Sequence, residues 1–364
     1  MPLPESSAFR FPVAGVVDDS DLSGDTDPAP FLDAARRLGV APAEAALVGD
    51  SPAGIRAGIA GGFAMVVGVE HEGSRSLEEA GADIGLEEVA DLPKDIAAWA
   101  DLIPTPGQAH VSLGAITDRL GPTPGIFLDY DGSLTPIMDD PASATLGPEG
   151  REILTRLVGV APVAVISGRG LDDVRSHVSV EGITYSGSHG FEIMSADGFI
   201  FEQPDVRAVV PQLDEAEKSL LDEVHGLPGV TIERKPFAIA VHTRRAETEE
   251  ARSGAHELAE RVGSDHPNLV LRGGKEVIEL RPAIDWDKGR AVAHLLEMLP
   301  EGAVPLYIGD DETDEDAFAE VRRSFGVGIL VGNARGADTW AKYTLTGTEE
   351  TLRFLSRLTD EISR

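Results

Sequence analysis

At four places in this chain an apolar run of strand length stops abruptly in a small or acidic cluster: AALVGD (45–50), GIFLDYDG (125–132), VAVISGR (163–169) and VPLYIGDD (304–311). Helical patterns separate the last three, among them EGREILTRLVG (149–159), LDDVRSHV (171–178) and DKGRAVAHLLEML (287–299), and DEDAFAEVRR (314–323) follows. Buried strands that open into glycine-bearing loops and alternate with helices predict an α/β fold built on a mostly parallel sheet. In such a sheet ligands gather beyond the carboxyl ends of the strands. The chemistry is therefore expected where these runs end.

The rhythm changes between about 191 and 284. VRAVVPQLDEAEKSLLDEVHG is helical, VTIERKPFAIAVHTRR alternates as strands do, ETEEARSGAHELAERVG is helical, and LVLRGGKEVIELRP reads as two strands about Gly273/Gly274. An α+β cap over 191–281, inserted into a core of 126–190 and 282–364, accounts for this. Upstream, FLDAARRLGV, AALVGD, SPAGIRAGIAGG and FAMVVGV make residues 1–100 a separate small α/β unit, with a helix entered at Ser51/Pro52. Residues 101–125, with Pro104, Pro106, Pro122 and Pro124 around one short helical segment, read as a connection. A length of 364 residues suits two or three domains.

Composition narrows the partners. Lysine plus arginine number 31 against 63 for aspartate plus glutamate, a net charge of −32. Such a surface repels nucleic acid and anionic membranes, so neither is an expected partner. An anionic substrate must be held by local donors or a metal. Cysteine is absent, which excludes disulfides, thiolate catalysis and cysteine-ligated zinc. The first residues lack a secretory leader pattern and no run approaches a membrane span, so a cytoplasmic location is expected.

Each acidic strand end has an ordinary explanation by itself. Asp129/Asp131 could be a solvated turn, Ser167-Gly168-Arg169 a helix cap, and Asp310/Asp311 an acidic helix start. Three of them in one sheet pattern point instead to one cleft. Several carboxylates there require a cation, and an all-oxygen set suits Mg2+. Asp129 is placed to attack phosphorus in line and form an aspartyl-phosphate, with Asp131 as general acid and base. Ser167 can donate to a phosphoryl oxygen, and Lys288, at a helix start before the last acidic strand, is the best-placed lysine to offset developing charge.

FLDYDGSLTPI, VISGR, DKG and YIGDDETDEDAF, in that order, resemble the four motifs of haloacid dehalogenase-like (HAD) phosphatases. With GSHGFE, ERKPFAIAVHTRR and GGKEVIELRP between them, the stretch from 126 to 358 resembles the trehalose-6-phosphate phosphatases. The resemblance implies Mg2+-dependent hydrolysis of trehalose 6-phosphate to trehalose and phosphate, the last step of trehalose formation, with functional coupling to the synthase that makes the substrate. It makes Asp129 nucleophile and metal ligand, and Asp131 the acid/base that binds metal through its carbonyl. Ser167 and Lys288 hold phosphate, with Gly168 and Arg169 beside Ser167. Asp310 completes the direct ligands, and Asp311 and Asp314 act as support, through metal-bound water or Lys288. Ser133 stands where that family most often has threonine, and its hydroxyl keeps the function. For the sugar it points to Arg234, Lys235, His242, Lys275 and Glu279, with His189 and Glu192 near hinges at Gly187/Gly190 and Arg281/Pro282. Alternation along a strand also puts Lys275, Val277 and Glu279 on one face.

Residues 32–69 resemble the later half of another branch of the same superfamily, the β-phosphoglucomutase-like proteins. The chain upstream is too short for that branch's nucleophile half and cap, and VVDDSD (16–21) lacks the DxDG pattern. A degenerate, non-catalytic HAD-like domain is therefore expected, with Asp50 a structural remnant. It would pack on the catalytic domain, limit cap motion or mediate association. Two other functions compete: a phosphatase for a different sugar phosphate, or a non-hydrolytic sensor or mutase.

Overall fold

The computed structural model describes residues 26–70, 76–88, 91, 106–138, 140–273, 277–332 and 339–364. It divides into two compact units, one of residues 1–125, 300–308 and 318–354, the other of residues 126–299, 309–317 and 355–364.

In the first unit, helix α1 (Ala29–Leu38) buries Phe31 and Ala35, and Gly39 ends it in the left-handed conformation. Strand β1 (Ala46–Gly49) leads to α2 (Pro52–Ala60), entered as expected: Ser51 Oγ accepts from the Gly54 N–H and Pro52 takes the first turn. Strand β2 (Met65–Val69), the single turn α3 (Ser76–Glu79) and β3 (Ile84–Leu86) complete a parallel sheet of order β1-β2-β3. Leu47, Ile55, Phe63, Val66 and Leu77 form its core. VVDDSD lies outside the described residues.

The same unit contains β4 (Gly107–Gln108) and α4 (Leu113–Leu120), within the stretch read as a connection from sequence. Later come β14 (Val304–Gly309, all but its last residue), β15 (Val327–Val331) and β16 (Tyr343–Leu345), in the order β4-β16-β15-β14. β16 pairs in parallel with β15 and with β4.

The second unit takes the end of β5 (Pro124–Leu128) and adds α5 (Pro148–Val158), β6 (Val163–Ile166), α6 (Leu171–Val178), β7 (Thr184–Gly187), β8 (Glu192–Met194) and β9 (Ile200–Glu202). Their order is β5-β6-β7-β8-β9, parallel through β7 and antiparallel beyond. β5 and β6 are buried at every residue, as befits strands covered on both faces.

Between β9 and α9 (Lys288–Glu297), the chain builds a second layer: α7 (Val206–Glu223), β10 (Thr231–Lys235), β11 (Ala238–His242), α8 (Glu249–Asp265), β12 (Leu269–Gly273) and β13 (Val277–Pro282). The sheet is antiparallel, order β10-β11-β13-β12. Leu213, Leu220, Leu258 and Val262 of the two helices pack on Ile239, Val241, Ile278 and Leu280, covering one face. The other face is left for polar side chains. Helix α10 (Glu315–Arg323) and α11 (Thr348–Ile362) follow in the chain. Among the described residues no helix is long and apolar enough to cross a membrane.

Candidate active site

Asp129 follows β5 directly and is 4% exposed. The next residues make a tight loop: the N–H groups of Leu134 and Thr135 both donate to the Tyr130 carbonyl, and Gly132 N–H donates to Thr135 O at 2.7 Å. Gly132 has φ +93°, and a Cβ there would lie 2.1–2.5 Å from the Asp310 carboxylate. Only glycine satisfies both the backbone and the neighbour. The adjacent Ser133, buried, donates its hydroxyl to Asp310 Oδ1 at 3.3 Å, the bond a threonine hydroxyl would also offer.

Lys288 opens α9 beneath this loop, after Asp287 caps the helix by accepting from Arg290 N–H at 2.8 Å. Its buried ammonium donates to Asp129 Oδ1 at 2.8 Å and to Asp314 Oδ1 at 2.6 Å. Asp314 is wholly buried in the short 3-10 turn Glu312–Asp314, and its other oxygen accepts from the N–H groups of Asp310 and Asp311 at 3.0 Å each. Asp311 is exposed and caps that turn through the Glu312 N–H. Asp314 is thus the acid that reaches Lys288, and Asp311 belongs to the backbone of the loop.

Carboxylate oxygens of Asp129, Asp310 and Asp314 lie within 4.8 Å of one another. Three acids face one ammonium. Burial pushes Asp129 well above the usual carboxylate range, against the pull of Lys288, and the charges of Asp314 and Asp310 push the same way. Burial, then the charge of Asp314, raises Asp310 to about 7. Lys288 is raised instead: burial opposes its charge, but Asp129 and Asp314 outweigh that penalty. Uncompensated negative charge in an all-oxygen setting fits a hard divalent cation such as Mg2+.

Ser167 follows β6 directly, 1% exposed, with its oxygen accepting from Arg169 N–H at 3.1 Å. Arg169 makes a two-pronged bond to Asp131, Nε to Oδ2 at 2.7 Å and Nη2 to Oδ1 at 2.8 Å, and a third to Asp173 at 3.0 Å. Its guanidinium lies 5.5 Å from the Tyr130 ring centroid. Burial disfavours that cation, yet the bonds to Asp131 and Asp173 hold its pKa above the usual value. Gly168 leaves room for His189, whose ring atoms come within 2.6 Å of where a Cβ would stand. His189 is itself in the left-handed conformation, tied back by its N–H to Ser167 O.

From His189 a charged wall continues along β13 and β10. The Glu279 carboxylate is 5% exposed; it accepts from Lys235 Nζ at 2.6 Å and from Arg281, and His189 Nε2 lies 3.4 Å from it without a hydrogen bond. Burial opposes the charge of Glu279, but Lys235 and Arg281 keep its pKa well below the usual range. Burial, aided by Arg281, lowers His189 to about 3, so its ring is neutral. Next along the wall, His242 meets Glu233 at 2.7 Å.

Two expected sugar contacts stand elsewhere. Arg234 points to the opposite face of β10, donating to Asp214 at 3.1 Å and to the carbonyls of Pro236 and Ala238. Strand alternation is the reason: with Lys235 facing the wall, its neighbour cannot. Glu192 accepts from the Ser188 hydroxyl and from the backbone of Leu171 at the start of α6. Lys275 lies outside the described residues. Glu233, Arg281 and Arg244, by contrast, were not singled out as sugar contacts from the sequence. The first two sit at i−2 from Lys235 and i+2 from Glu279, a signal the period-two rule offers. Arg244, just past β11, donates to Met138 O in the loop that follows Asp131 at 3.4 Å, a tertiary meeting with no local signature.

The sequence profile described as trehalose-phosphatase matches residues 127–349. A profile for haloacid dehalogenase-like hydrolases matches residues 7–62. A trehalose-phosphate phosphatase of Mycobacterium avium is 39% identical over 343 residues, 91% of this chain and 86% of that one. The chain belongs to the trehalose-phosphatase family. Another member, the trehalose-phosphate phosphatase of Mycobacterium tuberculosis, is 36% identical over 336 residues, covering 90% of this chain and 85% of that protein. Among solved structures, the C-terminal domain of Candida albicans trehalose-6-phosphate phosphatase is similar at 25% identity and a TM-score of 0.59, over 71% of this chain and 99% of that domain. A trehalose-6-phosphate phosphatase related protein matches 65% of this chain and 97% of its own at 24% identity and a TM-score of 0.55, which shows the shared fold. Members of this family are phosphoric monoester hydrolases on a HAD-type α/β scaffold.

Proposed function

We propose that this chain hydrolyses trehalose 6-phosphate to trehalose and phosphate through an aspartyl-phosphate on Asp129. The observation that carries the chemistry is the buried Lys288 shared between Asp129 and Asp314 beside Asp310. Lys288 engages only one Asp129 oxygen, and holding it fixes the rotamer and leaves the other to attack phosphorus. Asp129, Asp310 and the Asp131 carbonyl would hold Mg2+, with Asp314 in support through Lys288. Bound there, the ion supplies charge neutralisation for the transferring phosphoryl group. Ser167 and Lys288 donate to phosphoryl oxygens as negative charge grows. Asp131, two residues along, gives its proton to the leaving sugar oxygen as the P–O ester bond breaks, and later takes a proton from water as that water attacks phosphorus, breaking the acyl-phosphate P–O bond to release phosphate and return Asp129 as a carboxylate. Arg169 orients it meanwhile.

Residues 191–281 act in this reading as a cap on a core of 126–190 and 282–364, and the wall of Glu233, Lys235, His242 and Glu279 supplies paired donors and acceptors for sugar hydroxyls. Residues 1–100 form a non-catalytic relative of the core. The acidic surface, the location in the cytoplasm and a functional link to a trehalose-6-phosphate synthase belong to the same reading.

Phosphate release from trehalose 6-phosphate, glucose 6-phosphate and other sugar phosphates, with Mg2+ and with chelator, tests it. Metal-dependent release selective for trehalose 6-phosphate is expected. Turnover of another ester alone would overturn the sugar assignment and keep the core chemistry.

A further inference from the structure

Arg169 joins two carboxylates of different standing. Asp131 follows Tyr130 in a loop with its side chain 36% exposed, so packing alone leaves its rotamer open. Asp173 stands in the first turn of α6 and is 50% exposed. The guanidinium between them is buried, with Nε and Nη2 on Asp131 at 2.7 and 2.8 Å and Nη1 on Asp173 Oδ2 at 3.0 Å.

The Asp173 end is the fixed one. A Cβ on Gly187 would lie 2.3 Å from Leu171 N, so the start of α6 lies hard against the end of β7. The backbone of Arg169 is held twice: its N–H donates to Ser167 Oγ at 3.1 Å, and its carbonyl accepts from Ser188 N–H at 2.6 Å. On the far side of Asp173, His177 Nδ1 lies 3.3 Å from Oδ1, the oxygen that Arg169 leaves.

Two parallel bonds fix a carboxylate in the plane of a guanidinium, but they let the pair swing together about the arginine side chain. A third bond, from Nη1 to an acid on a seated helix, removes that swing. The buried Tyr130 ring bounds one face of the fork, and its hydroxyl is itself tied to Ala144 O at 2.6 Å. We infer that Asp173 is a positioning residue for proton delivery to the leaving group: by pinning Arg169 it aims the Asp131 carboxyl at the departing sugar oxygen. The inference rests on the acid role proposed above for Asp131. An ion pair between neighbouring turns, with one partner this exposed, adds little to stability, so its loss is read in rate.

The leaving group supplies the test. In the first step the P–O ester bond breaks as phosphorus bonds to Asp129, and the sugar oxygen takes the Asp131 proton. From p-nitrophenyl phosphate the phenolate leaves as a stable anion and needs no such proton. The value of kcat/KM reports this step for both esters. On the full chain at saturating Mg2+, Asp173→Asn should lower kcat/KM for trehalose 6-phosphate about five- to twentyfold, with KM and the p-nitrophenyl phosphate value each within about twofold of the parent. Asp173→Glu, which keeps a carboxylate, should recover part of the loss. An equal fall for both esters, or a loss in KM alone, would overturn the inference, as would a lowered urea midpoint with unchanged turnover of trehalose 6-phosphate. Asp131→Asn separates the two levels. If it discriminates between the esters while Asp173→Asn does not, the positioning role alone falls. If it lowers both alike, the acid reading falls and takes the positioning role with it.

Discussion

Two segments of this chain share one local design: a buried strand ending in Gly-Asp, then a helix. At β1 it is Gly49–Asp50–Ser51, at β14 it is Gly309–Asp310–Asp311. In the first, Asp50 is exposed and Ser51 spends its oxygen on capping α2. In the second, Gly309 has no space for a side chain because Asp314 lies 2.4–2.7 Å from its Cβ position, and Asp310 meets Asp129 and Ser133. Among the described residues, the acids able to hold a metal together are those three alone, Asp129, Asp310 and Asp314. The same strand-end code therefore gathers acids only where other loops converge on it.

The sharpest way to break this contrast is paired substitution. Asp129→Asn should lower phosphate release by about four orders of magnitude, whereas Asp50→Asn should change it by less than about twofold. Steady-state assays at saturating Mg2+ decide it, and equal losses in both would end the distinction. Next, Lys288→Ala leaves Asp129 and Asp314 buried without their partner. It should abolish turnover and cost about 3–5 kcal/mol of stability by urea denaturation, unless those acids take up protons.

A pH series sharpens the comparison within the site itself. Asp310 is raised to about 7, so its contribution to the stability of metal-free protein is fully present below about pH 4 and lost as pH rises toward 7. Glu279 is depressed, so its contribution is present above the usual carboxylate pKa and lost as pH falls below it. With chelator, Asp310→Asn should flatten the decline in Tm between pH 5 and 8, and Glu279→Gln should flatten the loss on acidification. Added Mg2+ should erase the first effect and leave the second. The smallest effect concerns strand register. Lys235→Ala should raise KM for trehalose 6-phosphate about tenfold, while Arg234→Ala should leave KM alone and cost about 1 kcal/mol of stability.

The strand ends were legible because each is local: an apolar run, a turn residue and an acid are adjacent in the chain. The α/β class, the four-stranded insert and the helix caps at Ser51 and Asp287 follow from the same short-range rules. Register was harder. Arg234 and Lys235 are neighbours on β10 and face opposite ways, and the same alternation joins Glu233 to Lys235 and Arg281 to Glu279. Contacts between distant segments left no trace at all: Arg169 on Asp131 is 38 residues away, and Arg322 on Asp83 is 239. Nothing in either neighbourhood predicts its partner.

The insertion of the four-stranded layer has a kinetic corollary. Its strands pair within a single stretch from Thr231 to Pro282, whereas Lys288 meets Asp129 across 159 residues and Ser133 meets Asp310 across 177. Loop closure favours the nearer pairings, so the insert can pair its strands before the long-range contacts of Asp129 and Asp310 close. A chain truncated before β14 would keep every strand of the insert and lack Asp310 and Asp314, so the acid cluster is completed last.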